Sequence, residues 1–532
     1  MDLIRNFLHV LTKKELRVFL YACAAIAVAI VLRSGIGIQE HSSFVPVKGG
    51  ELREGMVGQP IFVNPVFSEN QVDQDISALV FSPLKDISTY INADEENKVF
   101  TVSLREDLKW DDGTPVTSDD VIFTIKTAQD PEARSPIAKN WSGAAVERMS
   151  VLQVRIAIPE SNVFFADSIG KLRIIPKHVY GNIPIQNMRL SSYTLEPIGN
   201  GPYSFDSFAQ KKNGFITKYA LKRNESYHGE SPYIDRFSFF FYENEEGAEN
   251  AFRLREIDAF GTASVIDTEP LESARSRAIS VPTTRYYALF FNVASELFSS
   301  AATRRALTES VSKENIAAEV LFGKEEWLIE NPSFERGGDE LHNPERSRET
   351  IANADENIIV NVVVPDVPHL RKAAETIRSA WNFVGVEGRM TYAEPREVIE
   401  NFIKTGNYDA ILFGNTLENT QDLFPFWHSS QRIYPGLNIS LYRNQEVDSL
   451  IETARKESRK EKRDAVVQLI NAYLTEDNPA IFLYSVPYTY MTRSDIGGIA
   501  ETLGGEDVRM ANPAERFSRA GEWFVAQARV LE

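Results

Sequence analysis

A single cysteine, Cys23, stands in 532 residues, so no intramolecular disulfide can form and the fold must be held by its packing alone. Histidine is nearly as scarce. The seven histidines, at positions 9, 41, 178, 228, 342, 369 and 428, never fall at the short spacings of a zinc site. There is no Gly-x-Ser-x-Gly elbow, no His-Glu-x-x-His and no Gly-x-x-x-x-Gly-Lys-Ser/Thr loop. Gly199-x-Gly201 has no third glycine and runs into Pro202, which suits a turn and argues against a dinucleotide fingerprint. Basic excess is lacking too: the formal net charge is -18, which opposes binding to a phosphate backbone. These absences point away from enzymes and nucleic-acid binders. They lead us to expect no catalytic residue, no metal and no cofactor.

What is present is ordinary globular composition, 43 % hydrophobic and 25 % charged, in a chain too long for one core. Two or more lobes are therefore expected. One long apolar run exists, Leu16 to Leu32, broken only by Arg17 and preceded by Arg5, Lys13 and Lys14. This reads as a positive-inside insertion signal. Residues 16–38 are long enough to span a bilayer if Arg33 snorkels. No small-x-small cleavage site follows, so an uncleaved anchor with residues 1–15 cytoplasmic is the leading reading; a cleaved signal peptide and a buried helix are the alternatives. Leu20-Tyr21-Ala22-Cys23 has the look of a lipoprotein box, but too little apolar sequence precedes it. Residues 39–48, with Ser42, Ser43 and Pro46, read as a linker to a body beginning near Gly49.

Within the body, Gly50 to Val57 and Val99 to Leu104 alternate as half-buried strands, and Trp110-Asp-Asp-Gly-Thr-Pro115 is turn chemistry. Thr117 with Asp120 predicts a capped helix that ends at Asp130-Pro131. Strands are expected over 151–158, 203–208, 215–223, 237–241 and 286–292. Helices start near Ser300 or Thr303 and at Ser312. Beyond them, a strand over 358–364, a helix carrying Leu370 to Val384, and strands near 389–392 and 410–413 alternate as in an α/β lobe. Two more helices follow, joined by the sign-balanced run Arg455 to Arg463, which reads as a solvated face. Aromatics offer a clue to binding: Tyr286, Tyr287, Phe290 and Phe291, with Phe424, Phe426 and Trp427, either line an apolar cleft or fill the core.

Ordered blocks run through the chain: Gly49-Gly50-Glu51-Leu52 with Asn64-Pro65; Leu104 to Thr117 followed by Asp119-Asp120-Val121; and Gly199-Asn200-Gly201-Pro202-Tyr203. Arg223-Asn224 with Tyr227, Gly229 and Pro232 to Asp235, then Arg304 to Leu307 and Tyr442 to Asp448, complete the series. In this order, from about Gly49 to Gly498, they resemble the family 5 solute-binding proteins, the oligopeptide- and dipeptide-binding components of ABC importers. The resemblance implies an α/β, two-lobed periplasmic-binding-protein-like fold with an extra small domain, here preceded by the one N-terminal transmembrane helix. It implies a first lobe from 49–80, 195–285 and 486–532, a small domain at 81–194 and a second lobe at 286–485.

The resemblance further implies capture of a peptide or peptide-like ligand in the interlobe cleft, for delivery to permease and ATPase subunits. The body would be monomeric and extracytoplasmic, periplasmic or at the cell surface. Peptide-binding relatives meet the ligand's amino terminus with an aspartate in a Gly-Trp-x-x-Asp segment. Here Gly414-Asn415-Thr416-Leu417-Glu418-Asn419 puts Asn415 in the tryptophan position and Glu418 in the aspartate position. A second departure is the stretch between Pro83 and Val99, which is short and lacks the family's Leu-Ala-x-x-Trp block. The expected ligand-binding residues are Glu418, Asn415, Tyr286, Tyr287 and Trp427. Within the family the alternatives are a nickel, haem or glycan carrier; outside it, a membrane-anchored peptide sensor or chaperone, or an ectoenzyme.

Overall fold

Alternating apolar strands assemble into three main sheets and one ribbon in the computed structural model. It describes residues 42–531 except 274, 339–340, 354–357, 419–420 and 505–508, together with residues 12, 14, 17–19, 21 and 22. The expected anchor at 16–38 lies almost wholly outside the described residues, as does Cys23. Among the described residues no helix is long and apolar enough to cross a membrane.

The seven-stranded sheet runs β11 (Ser276–Val281), β17 (Tyr488–Arg493), β10 (Ala259–Thr262), β2 (Glu51–Val57), β9 (Arg236–Tyr242), β8 (Ile216–Arg223) and β7 (Tyr203–Gln210). The five-stranded sheet runs β14 (Glu387–Ala393), β13 (Ile359–Pro365), β15 (Ala410–Thr416), β12 (Arg285–Phe291) and β16 (Ala480–Tyr484). A four-stranded sheet, β3 (Ser88–Ala93), β4 (Val99–Leu104), β6 (Gln153–Ala157) and β5 (Ala145–Arg148), sits on the first lobe. The ribbon pairs β1 (Ser42–Val47) with β18 (Ala526–Leu531). That last pairing corrects the linker expected at 39–48: residues 42–47 form a strand because they find a partner strand at 526–531.

Period-two geometry explains why β12 belongs in the middle of its sheet. Tyr287, Leu289 and Phe291 enter one core cluster while Tyr286, Ala288 and Phe290 enter another, so both faces are covered and the run Arg-Tyr-Tyr-Ala-Leu-Phe-Phe carries no polar face. The block Gly199-Asn-Gly201 is structural. A Cβ at Gly199 would lie 2.1 Å from the Val80 carbonyl oxygen and one at Gly201 2.5 Å from that of Leu79, so only glycine allows the turn to approach the end of the helix Gln71–Val80. Asn200 Oδ1 then accepts from the Ser82 backbone N–H at 2.9 Å. The expected capping box is also present: Asp120 Oδ2 accepts from the Thr117 N–H at 2.8 Å, and its other oxygen accepts from the Lys177 N–H at 2.8 Å.

The deepest polar feature of the first lobe is Arg516, 1 % exposed, between Glu54 on β2 and Asp75 on the helix Gln71–Val80, at 2.7 Å from each carboxylate. Tyr490 Oη donates to the second Glu54 oxygen at 2.8 Å. Burial pushes Glu54 above the usual carboxylate range. Removing the cation leaves two carboxylates in a dry core. We therefore expect Arg516→Met to destabilise the protein by about 3–5 kcal/mol, measured as a fall in the denaturation midpoint, whereas Arg519→Met in the exposed pair with Glu522 changes it by under about 1 kcal/mol.

Candidate functional site

Only two short stretches carry the chain between the large sheets, 282–284 from β11 to β12 and 485–487 from β16 to β17. They are bonded to each other: Thr283 Oγ1 donates to the Val486 carbonyl at 2.8 Å and Ser485 Oγ to the Arg285 carbonyl at 2.8 Å. Met510 adds a third strand to this waist, its N–H donating to the Pro282 carbonyl at 2.8 Å and its carbonyl accepting from the Thr284 N–H at 2.9 Å. Paired short crossings of this kind restrict motion to a hinge.

On the five-stranded sheet the C-terminal ends of β13, β15 and β16 and the start of β12 share one edge, because β13 is parallel to β15 and β12 antiparallel to β15 and β16. That edge faces the waist and the first lobe, where open α/β sheets hold ligands. Glu418 stands two residues beyond β15. Its Oε1 accepts from Asn140 Nδ2 at 3.1 Å and its backbone carbonyl from Lys171 Nζ at 3.4 Å, both across the cleft. Lys139 Nζ reaches the Pro435 carbonyl at 3.1 Å. Farther from the hinge, Asn97 Nδ2 donates to Ser458 Oγ at 3.0 Å and the Val163 N–H to the Arg455 carbonyl at 2.8 Å. Between these contacts lies a polar crevice of ≈ 760 Å³, with Glu96, Lys98 and Glu160 on one wall and Phe424, His428 and Arg455 on the other.

The remaining expected site residues lie deeper. Tyr286 and Trp427, 0 % and 1 % exposed, pack with Phe290 and Phe482 in the core on one face of β12; where a cleft lining was expected, the structure puts both in the core, Tyr286 by its phase on the strand and Trp427 from the end of the short helix Phe424–Trp427. Asn415, opposite Tyr286 in the ladder, is buried and donates to the Tyr286 hydroxyl at 3.2 Å; it satisfies that hydroxyl and faces no open cavity. Tyr287 points the other way, edge-on to His369 with ring centres 4.8 Å apart and beside Tyr484 at 5.3 Å. Glu418, of the five, is exposed at the lobe contact. Arg455 also departs from expectation. It forms a two-point pair with Asp422 and covers the Phe424 ring at 4.1 Å, so the charged run is a solvated face only in part.

Residues missed from the sequence are Asn140, Lys171, Arg173 and His369. A signal for Arg173 was available, since it is a lone cation between buried Leu172 and Ile174 in an extended run. His369, at the start of the helix Pro368–Phe383, shares a hydrogen bond of 3.0 Å between Nδ1 and Tyr484 Oη. Burial, helped by the Arg285 charge, pushes its pKa down to about 4. The unfolded chain therefore takes up a proton near pH 6.5 that the folded chain refuses until about pH 4, so stability is lost as pH falls through that window. We expect His369→Gln to flatten the loss, by about 1–3 kcal/mol between pH 7 and 4.5, in urea midpoints measured at both pH values.

This architecture recurs in known proteins. The oligopeptide-binding protein AppA of Bacillus subtilis (strain 168) is 24 % identical over 528 residues, 88 % of this chain and 91 % of the relative. The solved structure of AppA from Bacillus subtilis in complex with a nonapeptide superposes with a TM-score of 0.70 at 21 % identity, covering 91 % of this chain and 100 % of that one. NikZ from Campylobacter jejuni in complex with Ni(L-His) gives 0.69 at 22 % identity, covering 89 % and 99 %. Residues 86–432 match the model of the bacterial extracellular solute-binding proteins, family 5, middle region. With both lobes, the hinge and the small sheet in place around that match, the chain belongs to the family 5 extracellular solute-binding proteins.

Proposed function

We propose that this protein captures peptides or peptide-like ligands in the interlobe cleft and delivers them to the permease and ATPase subunits of an ABC importer. The observation that carries the reading is Glu418: a carboxylate at a strand end, on the family's ammonium-binding position, reaching across to the first lobe through Asn140. A ligand amino terminus entering there meets a negative charge as the lobes shut. The relative AppA, an oligopeptide-binding protein by name, supports the same class. In this reading the body is monomeric and extracytoplasmic, and residues 16–38 tether it to the membrane.

Three measurements test this. Mass spectrometry of the ligand that co-purifies should find peptides; a nickel complex, haem or glycan would replace them as the cargo. Glu418→Gln should weaken binding of free-amino peptides by about 2 kcal/mol or more in calorimetry, with N-acetylated peptides nearly unaffected, since a desolvated charge pair is lost. Equal affinity of both proteins for free-amino peptides would place the ammonium elsewhere. For the tether, N-terminal sequencing of protein taken from membranes should begin at residue 1 or 2, and a start just after Arg33 would overturn the anchor.

A further inference from the structure

The same cleft holds a cation that the peptide reading leaves unused. Arg173 lies in the extended segment Leu172 to Ile175, which follows the helix Phe165–Lys171 and touches Pro83 through an isolated β-bridge. Successive residues of an extended segment point to opposite sides. Leu172 and Ile174 are buried in the first-lobe core, so Arg173 takes the other side. Lys171, the last residue of the helix, marks the contact with the second lobe: its Nζ bonds the Glu418 carbonyl oxygen at 3.4 Å across the cleft and pairs with Glu515 at 3.2 Å. Arg173 acts through space on that same Glu515, which sets its charge beside this contact on the first-lobe wall of the cleft.

Its bonding is incomplete. Arg173 Nε donates to the Phe81 carbonyl at 2.9 Å, which fixes the plane of the guanidinium. Among the described residues its terminal nitrogens form no ion pair; Asp86 and Glu515 act on it only through space. Burial alone outweighs both acids and holds its pKa below the usual arginine value. Asp86 acts on it more strongly than Glu515 does, yet among the described residues neither carboxylate pairs with it; Glu515 is engaged by Lys171 and by the Ala511 N–H at 3.1 Å. A half-buried arginine, oriented by its Nε and with its outer fork free, is the arrangement that receives a carboxylate through two parallel bonds. Desolvating a cation without a partner is costly, and an anionic group on the ligand would remove that cost.

We propose that Arg173 is a specificity-determining residue that receives a carboxylate of the ligand, so that the cleft prefers acidic peptides. This rests on the peptide reading above. Two sources share the chemistry: an acidic side chain or the carboxylate of the ligand's own C-terminus.

The test is calorimetry with the whole protein and pentapeptides of alanine in which one aspartate is moved through the five positions, each compared with its asparagine counterpart, with free and with amidated C-termini. Wild type should bind at least one aspartate peptide tenfold or more tighter than its asparagine counterpart, or free C-termini tenfold or more tighter than amidated ones. The first pattern assigns a side chain, the second the C-terminus. Arg173→Gln should erase that difference while leaving the neutral amidated peptides within about twofold, and Arg173→Lys should restore part of it, which a purely structural role would not do. Wild type that binds acidic and neutral peptides alike, or Arg173→Gln that keeps the difference, overturns the inference and leaves the peptide reading standing. Wild type that binds none of these peptides overturns the peptide reading itself, and the inference with it.

Discussion

The first lobe is organised around one buried cation, Arg516, held between Glu54 and Asp75 with its guanidinium 4.0 Å from the Phe517 ring. Glu54 comes from the central strand of the seven-stranded sheet and Asp75 from the helix that carries the Gly199–Gly201 turn on its end. Arg516 comes from the C-terminal segment, six residues after Met510. The triad therefore determines where the third strand of the hinge sits. A buried ion group of this kind contributes little net stability compared with apolar packing, but breaking it is expensive, so it constrains geometry more than it adds stability.

Beyond that waist the second lobe is built as one unit, because its sheet has cores on both faces and two short chain links join it to the seven-stranded sheet. Among the described residues the bonds that close the cleft are polar: Asn140 and Lys171 to Glu418, Lys139 to Pro435, Asn97 to Ser458 and Val163 to Arg455. Each contributes about 0.5–1.5 kcal/mol at most, in competition with water. Closure that rests on such contacts is readily reversible, and a ligand with differential affinity for the shut form supplies the remaining drive. Charges already at the cleft wall, Lys171, Arg173 and Glu515, are the groups such a ligand would meet.

Much of the fold could be read from local pattern. The capped helix beginning at Ser118, the strand 285–291 and the strand–helix–strand order of the second lobe follow from periodicities that tertiary packing merely ratifies. Where reading failed, the missing information was non-local. The strand at 42–47 begins with two serines and contains Pro46, which read as a linker, and its partner at 526–531 makes it a strand. Tyr286 and Trp427 are aromatic in either a cleft or a core, and composition cannot say that both faces of β12 are covered. Asn415 looked like a ligand contact because of its position in a motif; its amide is used by a tyrosine hydroxyl across the ladder. The position of Glu418 just past a strand end was legible, because the run 410–413 reads as a strand and the structure extends it to Thr416.

The spacing of the buried triad along the chain bears on how the protein is made. Arg516 is 462 residues from Glu54 and 441 from Asp75, whereas the second lobe is continuous from β12 to β16 and takes nearly all the residues that cover its sheet from that span, Val265 and Val486 being among the few from outside it. A chain produced from its N-terminus can therefore finish the second lobe while the first still lacks β17 and the cation for its two acids. Until then Glu54 and Asp75 must remain hydrated, so the central strand of the larger sheet cannot be sealed early. The lobe that begins first is completed last, and during that interval its unfinished apolar face is the surface most exposed to aggregation or to a chaperone.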